Sequence, residues 1–167
     1  MFSVSDRFTD SVVAREIFMI DLTLLKRLRN ETQAGIADCR IALESTKGDY
    51  KKAIEWIRSK GLEKAAKKAD RTTSQGLIES YIHQNGRVGA MVEVLCETDF
   101  VARTDEFKNL VREICMQIAA MNPKDVPALL KQEYIRDNSK TIENLVKEAI
   151  AKLGENIVVK KIQRLEI

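Results

Sequence analysis

Asp99 and Phe100 stand side by side in the run Glu97-Thr98-Asp99-Phe100-Val101-Ala102-Arg103, a carboxylate next to an aromatic ring. Upstream, Val88, Ala90, Val92 and Val94 alternate as a β-strand does, with Met91 and Leu95 between them. Downstream, Phe107, Leu110, Val111, Ile114 and Ile118 recur at helical spacing. The pair therefore falls at a strand-to-helix corner, and two readings follow. A corner on a rigid scaffold can present both groups outward for insertion into a partner. Alternatively, Phe100 plugs the core and Thr98 or Thr104 caps the following helix. The residues alone leave both open.

Other reactive groups are sparse. Cys39, Cys96 and Cys115 show no CxxC spacing, and His83 is the one histidine, so a zinc site is not expected. Cys39 and Cys96 fall on apolar faces and read as small core residues of a reducing cytoplasm. The chain shows no glycine-rich phosphate loop, nucleophile elbow or clustered acid–base pair. Neither an enzymatic activity nor a metal or cofactor is expected. His83, beside a hairpin turn, reads by itself as a solvated surface group.

The elements that position these groups divide the chain. Residues 1–18 fit no module: they lack the apolar centre of a signal peptide, and Asp6, Asp10 and Glu16 argue against a transit peptide. Residues 19–60 read as three short helices with apolar stripes Leu24, Leu25, Leu28; Ile36, Cys39, Ala42, Leu43; and Ala53, Ile54, Ile57. Gly35 separates the first two, and Lys47-Gly48-Asp49 ends the second and caps the third. Residues 61–75 carry Lys64, Lys67, Lys68 and Arg71 without a complete apolar stripe, which predicts a solvated helical linker; no aromatic residue is interleaved for base stacking.

Residues 76–167 read as an α+β core. Asn85-Gly86 turns a hairpin whose first strand sets Ile78, Ser80 and Ile82 on one face and Leu77, Tyr81 and His83 on the other. The second strand is partly apolar on both faces, which predicts a sheet covered on both sides. A helix ends near Met121, before Asn122-Pro123. Another carries Ile142, Leu145, Val146, Ala149, Ile150 and Leu153 up to Gly154, and Ile157 to Leu165 forms a third strand. The fold class is thus a three-helix module, a helical linker and a small antiparallel sheet packed with helices.

With 167 residues, 44% hydrophobic and 32% charged, the chain can bury a core and solvate its surface. A net charge of +3 is too small to argue for nucleic-acid binding. No apolar stretch approaches the roughly 20 residues that cross a membrane.

Four ordered segments resemble the elongation factor Ts family. The corner Glu97–Arg103 is similar to its signature, Thr32-Gln33-Ala34-Gly35-Ile36-Ala37-Asp38-Cys39-Arg40 to its first inter-helix turn, Lys64-Ala65-Ala66-Lys67-Lys68-Ala69 to its basic linker, and Leu153-Gly154-Glu155-Asn156-Ile157 to the entry of its last core strand. The likeness begins near Met19. It implies a ubiquitin-associated-like helical module and a cytoplasmic guanine nucleotide exchange factor that binds elongation factor Tu. It implies partner contacts at Thr98, Asp99, Phe100, Val101 and Arg103, with Phe100 inserted between helices and Asp99 beside the Mg²⁺-binding region. Arg29, Ile36, Ala37 and Arg40 match further contacts in the module, and Leu153 and Gly154 another pair.

Ser80-Tyr81-x-His83 followed by Arg87-Val88-Gly89 resembles a contact element that longer relatives carry in a second core half. One half here bears both the Asp–Phe corner and the histidine turn. With the two-sided apolar sheet, this predicts a homodimer packed around Leu77, Tyr81, Met91 and Leu95. Two departures weigh on dimer strength. The Lys-rich insert of short-form relatives is reduced to Asn122–Lys140, and the last strand has no cysteine. A helical adaptor or peptide-binding module is the competing function; it has no use for the corner.

Overall fold

The structure is a computed structural model that describes residues 21–167, so the reading of residues 1–18 lies outside the described residues. The described residues form two compact units, divided between Glu55 and Trp56.

In the first unit, α1 (Leu22–Thr32) and α2 (Ile36–Ser45) precede α3 (Tyr50–Ala66), which continues into the second unit. Asp21 caps α1 by accepting from the Thr23 amide at 2.7 Å, and Asp49 caps α3 by accepting from the Lys52 amide at 3.1 Å. These amide hydrogen bonds hold both carboxyls below the ordinary carboxylate range. The small core is Leu28, Cys39, Ala42, Leu43 and Ala53. Ile36, expected in the second stripe, is instead 52% exposed. It occupies the first position of α2, where the side chain lies over the incoming turn rather than on the helix's packed face.

In the second unit, β1 (Gln75–Ile82), β2 (Val88–Cys96) and β5 (Ile157–Glu166) form an antiparallel sheet in the order β1-β2-β5. After β2 come α4 (Asp99–Ala102), α5 (Asp105–Met121), α6 (Val126–Lys131), a small hairpin of β3 (Glu133–Tyr134) and β4 (Asp137–Thr141), and α7 (Ile142–Leu153). Thr98, Thr104, Asp125 and Thr141 cap α4, α5, α6 and α7 through their side-chain oxygens. Gly154 ends α7 at φ 82°. The core joins Phe107, Leu110, Val111, Ile114 and Ile118 of α5 to Ala90, Val92, Val94 and Cys96 of β2 and to Ile142, Val146 and Ile150 of α7.

Two expectations are corrected here. The sheet is covered on one side, not two. Leu77 and Tyr81 pair with Val94 and Ala90 and turn toward the core, whereas Ile78, Ser80 and Ile82 lie on the opposite face with Met91. Ile78 and Ile82 are each 65% exposed, and Leu165, beside Gly89, is 70% exposed. Leu77 and Tyr81 therefore do not share a surface with Met91 and Leu95. Alternation assigns residues to two faces but says nothing of what covers either.

Most of the stretch after Gly61 is exposed, and one side of it packs inward. α3 runs through it to Ala66, and Ala65 is buried in the core. A Cβ at Gly61 would lie 3.1 Å from the Ala151 Cβ of α7, so small residues at these positions let the helix approach closely. Beyond Ala66 the chain leaves the helix through turns to Ser74, whose amide donates to the Cys96 carbonyl at 3.1 Å.

Candidate functional site: an exposed aromatic–carboxylate corner

At the end of β2 the chain turns at Thr98 in extended conformation (φ −124°, ψ 157°) and enters the single turn of α4. The Thr98 hydroxyl accepts from the Val101 amide at 3.4 Å. Val101 and Ala102 lean on the core, and this orients the turn so that Phe100 points away from it. The Phe100 ring is 78% exposed, which removes the core-plug reading. Asp99 forms a 2.8 Å ion pair with Arg103, one turn on, with both side chains well exposed. An aromatic ring flanked by an acid and a base therefore stands at the surface on backbone that the core holds still.

The corner is braced from the loop between α7 and β5. Glu155 Oε2 accepts from the amides of Glu97 at 3.1 Å and Thr98 at 2.9 Å, and Oε1 accepts from the Thr98 hydroxyl at 2.6 Å. Asn156 is buried; its amide donates to Glu97 Oε1 at 2.6 Å, and its side chain donates to the carbonyls of Ala69 and Arg71. The Cys96 thiol donates to the Thr98 carbonyl at 3.1 Å. Burial pushes the Cys96 thiol above its ordinary range, and the nearby Glu155 charge adds to that, so it stays protonated. Burial likewise raises Cys39 and carries Cys115 to about 11.

The other residues singled out in the sequence are distributed around the molecule. Leu153 packs on the core edge and Gly154 is the exposed cap of α7, so both lie next to the loop that braces the corner. His83 lies at the opposite end of the hairpin, exposed, with Nδ1 3.2 Å from the Tyr81 hydroxyl. At about 3.3 Å per strand residue, β2 separates it from the corner by roughly 25 Å. The structure does not bring His83 and Phe100 together within one chain. Arg29, Ile36, Ala37 and Arg40 are all exposed in the first unit, Arg40 paired with Glu44 at 2.9 Å.

Sequence reasoning missed Glu155 and Asn156 as structural partners of the corner. The available signal was a charged and an amide residue inserted between a helix-ending glycine and an apolar strand. It also missed α6 and the β3–β4 hairpin. Buried Gln117 holds that hairpin by donating to the Glu133 carbonyl at 3.0 Å and accepting from the Ile135 amide at 3.0 Å. Among the described residues, no helix is long and apolar enough to cross a membrane.

Fold and corner together define a class: a helical module followed by an α+β core that carries an outward Asp–Phe pair. A family model described as Elongation factor TS matches residues 97–167, from the corner to the end of β5. The chain is 46% identical to Elongation factor Ts of Thermoanaerobacter sp. (strain X514), with 89% of this chain and 95% of that protein aligned. It is 44% identical to Elongation factor Ts of Thermosynechococcus vestitus (87% and 64%) and 41% identical to that of Oleidesulfovibrio alaskensis (89% and 98%). The chain belongs to the elongation factor Ts family, a family of translation elongation factors. The first alignment runs over 193 positions, more than the 167 residues of this chain, so that relative carries residues with no counterpart here.

Proposed function

We propose that this chain is a cytoplasmic guanine nucleotide exchange factor, not an enzyme, that promotes GDP release from elongation factor Tu. The observation that carries the reading is the bare Phe100 ring beside Asp99 on a braced turn. Such a protein makes or breaks no bond. It binds the nucleotide-free partner more tightly than the nucleotide-bound form, and reciprocity requires that it weaken nucleotide affinity by the same factor. Phe100 supplies apolar area for insertion between partner helices. Asp99 supplies a hydrogen-bond acceptor that competes for the Mg²⁺- and phosphate-binding region. Thr98, Val101 and Arg103 shape the turn, while Arg29, Ile36, Ala37 and Arg40 add contacts from the helical module, and Leu153 and Gly154 from the edge of the core.

The same reading extends to assembly. His83 and Phe100 lie at opposite ends of one hairpin, so two subunits packed through the exposed sheet face would offer one of each to the same partner. The face that supports this carries Ile78, Ile82, Met91 and Leu165. Release of fluorescent GDP from elongation factor Tu, with and without catalytic amounts of this protein, tests the exchange activity. Acceleration is expected, and an unchanged rate at saturating protein refutes it.

A further inference from the structure

We propose that Glu155 and Asn156 form a clamp that sets the position of the Asp99–Phe100 corner, with Glu155 the positioning residue for exchange; the functional half of this rests on the exchange reading above. Because the ring of Phe100 is exposed, its own packing does not fix where it sits. Its location is inherited from the backbone of Thr98 to Val101. That backbone is held by one carboxylate: Glu155 takes the Glu97 amide, the Thr98 amide and the Thr98 hydroxyl, at 3.1, 2.9 and 2.6 Å. The same Thr98 oxygen accepts from the Val101 amide, so Glu155, Thr98 and the first turn of α4 are joined in one chain of hydrogen bonds on either side of Phe100.

Asn156 completes the clamp from below. Its amide fixes the Glu97 carboxylate, and its side chain gathers the carbonyls of Ala69 and Arg71. Arg71 reaches back to the same Glu97 oxygen at 3.5 Å. Three chain segments converge on the residues that precede the corner. Charge-assisted bonds to backbone amides are the stronger kind. Holding an exposed ring in its inserted geometry before contact removes an ordering cost from binding.

The test combines Glu155→Gln, Thr98→Val and an Asp99→Ala, Phe100→Ala double variant, alone and together, in the full chain. A glutamine has one acceptor oxygen in place of two, so at least one of the three donors loses its partner. Glu155→Gln is expected to lower GDP release at subsaturating protein about tenfold while the melting temperature shifts by only a few degrees. Added to a chain that already carries Asp99→Ala and Phe100→Ala, it should cause no further loss, because it acts through those two side chains. A role confined to stability predicts an added loss and overturns the proposal. In the free protein carrying Glu155→Ala, which removes both acceptor oxygens, hydrogen exchange at the Glu97 and Thr98 amides should quicken at least tenfold while Val92 and Val94 stay protected. Unchanged protection at Glu97 and Thr98 also overturns it. If Glu155→Gln fails to fold, Thr98→Val removes the hydroxyl that donates to Glu155 at 2.6 Å and accepts from the Val101 amide, the link between Glu155 and the first turn of α4, and the same comparison of GDP release decides. If wild type leaves GDP release untouched, the exchange reading fails, and amide exchange still decides the clamp.

Discussion

Phe100 and Phe107 flank the Thr104 cap and have opposite fates: Phe107 is wholly buried under the sheet, while Phe100 stands in solvent. The cap makes the difference. It ends the turn of α4 and restarts the helix in a new direction, so the first ring leaves the core and the second enters it. Phe107→Ala should cost about 3–5 kcal/mol of stability. Phe100→Ala and Asp99→Ala should leave the melting temperature nearly unchanged, since the Asp99–Arg103 pair is exposed and worth only about 0.3–0.5 kcal/mol. Both corner variants should impair GDP release. A collapse in the melting temperature of Phe100→Ala refutes this separation.

Gly76 and Gly86 bound the same strand and make opposite demands. At Gly76, φ is 154° and an added Cβ would meet the Val94 carbonyl oxygen at 2.1 Å. The neighbouring strand is backbone and has no room to yield. Gly76→Ala should destabilise by about 2–4 kcal/mol. At Gly86, φ is 68° and nothing lies within 4 Å, so Gly86→Ala meets only left-handed strain, roughly 1–2 kcal/mol. Denaturant melts of the two variants check the order, and equal losses would contradict it.

Much of this arrangement was legible because it is local. The stripes of α5 and α7, the caps at Thr98, Thr104 and Gly154, and the alternation of β2 depend on residues within a few positions of one another. Ile36 misled because its spacing matches the apolar stripe while its place at the helix start does not. The docking of Gly61 and Ala65 is invisible in sequence, since small residues signal close approach only once α7 is beside them. The short polar β3–β4 hairpin depends on Gln117, and the braced corner on Glu155, both distant in the chain.

Tyr134 makes the stability sensitive to alkali. Burial, followed by its 2.6 Å hydrogen bond to the Glu113 carboxylate, pushes its hydroxyl up to about 12. An unfolded tyrosine ionises near 10. The unfolded chain therefore releases this proton first, and the contribution is complete below about pH 10 and lost as pH rises toward 12. Tyr134→Phe should cost about 1–2 kcal/mol at neutral pH, because Glu113 keeps Arg136 at 3.0 Å, and should flatten the alkaline decline. Melts across that range, with tyrosinate absorbance as a second signal, provide the check. An equally steep decline in the variant would assign it to other groups.

The exposed sheet face carries the prediction about assembly. Ile78, Ile82, Met91 and Leu165 lie in solvent on one side of a three-stranded sheet, with Glu93 and Lys161 paired in register among them. Ile82→Lys and Leu165→Lys remove no core contact, so each monomer should fold normally, while burial of the introduced charge should oppose dimerisation. Light scattering should give a dimer for the parent chain and a monomer for the paired variant; a parent monomer at assay concentrations removes the premise. The shared site is tested by complementation. When a His83→Ala, Phe100→Ala chain is mixed in excess with wild type, each heterodimer pairs an intact chain with one that offers neither contact. If one partner molecule needs Phe100 from one subunit and His83 from the other, GDP release per wild-type chain should fall as heterodimers form. Heterodimers that retain full activity per wild-type chain would show that a single chain suffices.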